Sequence, residues 1–123
     1  MKTFLWTLQI LFGVLFFFHD IALLVQPAPM HDMLEMLPYP SGFLLFIGVS
    51  EILGGLGLIL PMWTGIAKWL TPLAGAGLAI IMAGAAWTHL TAQEGVQTGF
   101  TLVITLLLAF VTYARRSLFA RPS

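Results

Sequence analysis

The chain has 123 residues, 59% hydrophobic and 8% charged, and its five basic and five acidic side chains cancel to zero net charge. A soluble domain carries roughly a quarter charged residues, so a water-facing surface is excluded over most of the molecule, and the zero balance excludes a basic footprint for nucleic acid. The absence of cysteine excludes disulfides, thiolate metal centres and thiol redox chemistry.

A helix needs about 20 apolar residues to cross roughly 30 Å of hydrocarbon, and unbroken apolar runs satisfy their backbone groups in lipid only as helices. Residues 4–25 are the first such run. Lys2 ahead of Phe4–Phe18 has the look of a secretory signal, but the run continues to Val25 and Ala28-Pro29 is a poor cleavage site, so a retained helix is expected. Between residues 26 and 41, Met30, Met33, Leu34 and Leu37 share one helical face, with Asp32 and Glu35 elsewhere on the wheel. This predicts a short amphipathic segment lying in the interface, limited to a few turns by Pro27, Pro29, Pro38 and Pro40. His31 beside Met30, Met33 and Met36 has soft-metal ligand types, yet methionine at helical spacing is ordinarily apolar packing. No metal site is expected.

The second span covers residues 42–60 and is closed by Pro61; the third covers 66–90; the fourth, the shortest, covers 99–114 and is ended by Arg115-Arg116. The whole chain therefore reads as a single membrane domain over residues 1–123, all-α, a four-transmembrane-helix bundle. Small residues crowd spans two and three, and helices in lipid associate by close backbone approach. These two spans are expected to form the packed centre, with Ala83 and Gly84 against another helix. Lys2, Lys68, Arg115, Arg116 and Arg121 all fall at one set of helix ends, and the loops at the other set hold no Lys or Arg. The positive-inside rule then gives an N-in/C-in arrangement. Trp6, Trp63, Trp69 and Tyr39 fit an aromatic belt at the interfaces.

An ionisable residue at mid-bilayer costs about 2.5–3.5 kcal/mol on insertion scales and is a functional candidate by default. Glu51 lies near the centre of span two, His19 and Asp20 in the outer third of span one, and His89 at the outer end of span three. All four fall between mid-membrane and the outer surface. Asp20 shares a face with Phe16, Gly13 and Gln9, and Glu51 with Gly48, Gly54 and Gly55. The expected picture is a ligand-binding pocket of Glu51, His89, His19 and Asp20, open toward the outside and lined by Trp87 and phenylalanines. Each residue also has a plain role: His89 as an interfacial helix-end residue, His19 and Asp20 snorkelling to the surface, and Glu51 as a neutral acid pinning a neighbouring helix.

The run Ile47-Gly48-Val49-Ser50-Glu51-Ile52-Leu53-Gly54-Gly55-Leu56-Gly57-Leu58 resembles the second-helix G-x-x-E-x-x-G-G-x-G-L pattern of DoxX-like membrane proteins. The Ala/Gly-rich stretch Leu73–His89, with its Met and terminal His, is similar to that family's third helix. The resemblance implies a four-helix bundle in the cell membrane, multi-pass, of the bacterial inner-membrane type. The family's named member is a small subunit of thiosulfate:quinone oxidoreductase, and other members are associated with redox or detoxification roles. Many members carry a lysine after a glycine toward the outer end of the first helix. This chain reads His19-Asp20-Ile21-Ala22-Leu23 there, so no lysine role carries over, though His19 can supply a cation.

Three functions fit these observations. One is a binding protein and redox accessory that holds a small apolar or quinone-like molecule in the polar pocket. It would have no built-in cofactor, a quinone as the molecule bound, and a homodimer mate or a larger redox partner for any electron transfer. The second is a small proton-coupled transporter with Glu51 as the titrating group. The third is a structural or assembly subunit with no ligand.

Overall fold

The computed structural model describes residues 2–25 and 41–120. The amphipathic segment expected between the first two spans, with His31 and its neighbouring methionines, lies outside the described residues. Four long helices account for most of the rest: α1 Lys2–Val25, α2 Ser41–Thr64, α3 Leu70–Thr91 and α4 Gly95–Ala114, followed by a short 3₁₀ turn, Arg116–Ala120. No strand occurs among the described residues. All four helices are long and apolar enough to cross a bilayer.

The boundaries differ from expectation at three places, each for a physical reason. Pro61 does not close α2, which runs on to Thr64. A proline inside a helix leaves the carbonyl four residues back without its donor. Here that carbonyl is Gly57 O, and it accepts instead from Thr71 Oγ1 on α3 at 2.9 Å, the kind of side-chain substitution that lets proline sit inside a membrane helix. Second, α3 starts at Leu70. Gly65 (φ 76°) and Ala67 (φ 50°) turn the chain through left-handed backbone, which ends one helix and delays the next. Third, α4 starts at Gly95, so the span expected to be short has ordinary length.

Successive helices run antiparallel. On α1 and α2, Gln9 meets Leu58 and Met62, while Gly13 meets Gly55 and Ile59. The most extensive interfaces are α3 with α4 and α1 with α2; α2 on α3 is smaller, and α1 meets α4 only slightly. The expectation of a packed centre between spans two and three is therefore corrected. The small residues are shared among pairings: Gly54 and Gly57 face Leu78 and Ala74 of α3, while a Cβ on Gly13 would stand 2.8 Å from the Gly55 carbonyl oxygen, and one on Gly55 would stand 2.8 Å from the Gly13 carbonyl oxygen. Ala83 and Gly84 are exposed, and a Cβ on Gly84 would meet nothing within 4 Å. That face of α3 points outward.

The apolar core occupies one half of the bundle. Leu5, Leu8, Phe12 and Phe16 of α1 pack with Leu58, Leu78, Ile104, Leu108 and Val111. Within it sits a polar tie. The fully buried Gln9 donates from Nε2 to Leu58 O at 2.8 Å and accepts at Oε1 from Arg115 Nε at 2.9 Å. This joins α1, α2 and the end of α4. Desolvation lowers the Arg115 pKa from its ordinary value, and the bond to Gln9 Oε1 satisfies one of its donors. Gln9→Leu keeps the bulk but leaves Leu58 O and Arg115 Nε without this partner, and a buried group left unsatisfied costs ~1–3 kcal/mol. A loss of that size should appear in denaturant titration of the detergent-solubilised protein, and an unchanged midpoint would contradict the assignment.

Candidate functional site

Because α1 and α4 touch so little, the half of the bundle beyond the core opens as a cleft of about 460 Å³. Leu15, Phe16 and His19 of α1 form one wall, and Val96, Gln97, Phe100, Thr101 and Ile104 of α4 form the other. Glu51 of α2 and Met82, Ala85 and His89 of α3 complete it. Trp87 does not belong to it: its side chain is 65% exposed on the outer face. The expectation that Trp87 lines the pocket is corrected, while Phe16 and Phe100 do line it.

The helical stripes explain why polar groups arrive here. Gln9, Gly13, Phe16 and Asp20 are all buried, as are Gly48, Glu51, Gly55 and Leu58. Each set recurs at three- and four-residue steps, the period of one helix face. The Gly13–Gly55 crossing brings the two stripes together, so the turns beyond it deliver Asp20 and Glu51 to one place. One ligand-type atom from each of His19, Asp20 and Glu51 lies within 4.8 Å of the others. Asp20 is 0% exposed and Glu51 7%. His19 Nδ1 stands 3.8 Å from Asp20 Oδ1, beyond hydrogen-bond length. Among the described residues, neither Asp20 oxygen has a hydrogen-bond partner. The described Lys and Arg residues, Lys2, Lys68, Arg115 and Arg116, all sit at the opposite helix ends.

His89 is also on the cleft wall but outside this cluster. Its Nδ1 is 3.0 Å from Glu94 Oε1, a contact at the cleft mouth made across the α3–α4 turn. Thus the structure brings His19, Asp20 and Glu51 together and gives His89 a different partner. The α4 wall was not foreseen. The available signal was weak: Gln97 and Thr101, polar residues one helical turn apart, are on this wall. Chemically, two carboxyl groups and an imidazole beside an apolar slot can accept hydrogen bonds from a guest, hold a proton, or hold a cation.

No curated protein and no solved structure gives a significant match to the chain. The DoxX-like family model matches residues 7–111, a stretch that covers α2 and α3 whole, most of α1 and α4, and every residue lining the cleft. The chain belongs to the DoxX-like family.

Proposed function

We propose that this membrane protein holds a small, mostly apolar molecule with a polar end, of quinone-like character, in the cleft between α1 and α4. The supporting observation is the combination of an apolar slot of about 460 Å³, within the size range of small-molecule sites, with a few polar groups gathered along one side. Glu51 and His19 would bond the polar end, Asp20 would stand behind them, and His89 would sit at the mouth. The chain has no cysteine, and in this reading it acts as an accessory that presents or sequesters the molecule while a partner carries the electrons.

Ala85 lines the cleft and is only partly buried, so Ala85→Phe should fill the slot while leaving the core intact. Decylubiquinone should raise the melting temperature of the wild-type chain and leave that of Ala85→Phe unchanged. Equal shifts in both would place the quinone elsewhere on the protein.

The N-in/C-in arrangement sets which side the mouth faces. Cysteine introduced at Gln93 should react with an impermeant thiol reagent added outside intact cells, and cysteine at Thr64 should not; the reverse pattern would turn the mouth inward.

A further inference from the structure

His19, Asp20 and Glu51 form a cluster that no Lys or Arg among the described residues approaches as an ion-pair partner. Two carboxyl groups, 0% and 7% exposed, face each other across the α1–α2 contact. Both oxygens of Asp20 are without a hydrogen-bond partner among the described residues. Buried carboxylates are ordinarily paired with a cation or coordinate a metal, and the described Lys and Arg side chains lie at the far helix ends. We propose that this cluster is a divalent-cation site, with one carboxylate oxygen from each of Asp20 and Glu51 and one ring nitrogen of His19 as ligands.

Charge, geometry and ligand chemistry agree on this occupant. Two carboxylates, a neutral imidazole and one divalent ion sum to zero, which suits a low-dielectric site; a monovalent ion would leave a net negative charge there. Ligands about 2.1 Å from a metal stand roughly 3.4–4.2 Å from one another. The three donor atoms already lie within 4.8 Å of each other, so small side-chain rotations suffice. A mixed nitrogen and oxygen set favours a borderline transition ion such as Zn²⁺ over Mg²⁺ or Ca²⁺. Three protein ligands leave a coordination position open, and His19 and Glu51 both border the cleft, so that position faces the slot. The site shares two residues with the quinone-like pocket but does not depend on an organic guest.

The test uses the full chain, purified in detergent, stripped with chelator and titrated with Zn²⁺ in a metal buffer. One Zn²⁺ per chain is expected by elemental analysis. Asp20→Asn and Glu51→Gln, which keep size and shape, should each weaken binding at least tenfold, and His19→Ala should weaken it too. Glu94→Gln, an acid whose contact is with His89 rather than with the cluster, should bind as the wild type does. Co²⁺ in place of Zn²⁺ should give visible ligand-field bands in the wild type that are absent from Asp20→Asn. Equal Zn²⁺ binding by wild type and Asp20→Asn would overturn the proposal. So would loss in Glu94→Gln, or no binding by wild-type chain that retains its helical circular dichroism and cooperative melting. Ala85→Phe should retain Zn²⁺ while losing decylubiquinone, so the metal site and the organic pocket can fail separately.

Discussion

Gly55→Leu should weaken the bundle by at least ~3 kcal/mol, the upper part of the overpacking range, while Gly84→Leu should leave stability within about 0.5 kcal/mol, as surface substitutions do. The two glycines lie in comparably apolar runs and differ only in what they face. At Gly55 a new Cβ would stand 2.8 Å from the Gly13 carbonyl oxygen and 3.5 Å from Phe16 Cβ. The nearest obstacle is backbone, which cannot swing aside as a flexible side chain can. The two helices would have to separate, and with them the stripes that carry Gln9, Asp20 and Glu51. At Gly84 nothing stands within 4 Å, and a leucine would extend into lipid. Melting temperatures of both variants in one detergent give the comparison; a stable Gly55→Leu would mean that α1 and α2 do not cross at these glycines.

The second large effect has the opposite sign. Asp20→Leu should make the metal-free protein more resistant to unfolding, by ~1–3 kcal/mol, the range set by leaving a buried polar group unsatisfied. Leucine keeps the branching of aspartate at Cγ. Neither Asp20 oxygen has a hydrogen bond of good geometry, so its removal breaks none, and the desolvation of a fully buried acid disappears. Proteins often keep such unfavourable groups where function needs them. Denaturant titration in chelator checks the sign, and a clear loss of stability would show that Asp20 has a structural partner.

Much of this was legible in the sequence because lipid imposes simple rules. Span number followed from apolar run length, and the clustering of Lys and Arg at one set of helix ends followed from their positions. The stripe from Gln9 to Asp20 and the stripe around Glu51 followed from helical period alone. The errors came where a pairwise relation decides. Pro61 looked like a terminator because its rescue is a tertiary contact, Thr71 Oγ1 to Gly57 O, spanning fourteen positions of the chain. Gly84 looked like a packing residue because small size permits close approach without specifying a neighbour. His89 borders the same cleft as Glu51, but depth alone could not show that its ring turns to Glu94 across a tight connection. The α4 wall was hidden because Phe100 and Ile104 are indistinguishable by type from residues that face lipid.

The cleft between α1 and α4, read as a binding site organised around Glu51, can be tested directly. The most direct measurement is an experimental structure of the chain purified with native lipids, at a resolution that shows side chains. The account predicts non-protein density between Phe16, Met82 and Phe100, with its polar end within direct or one-water reach of the Glu51 carboxyl. A cleft closed by α4 collapsing onto α1, or density that passes the cleft as an acyl chain with no approach to Glu51, would contradict it.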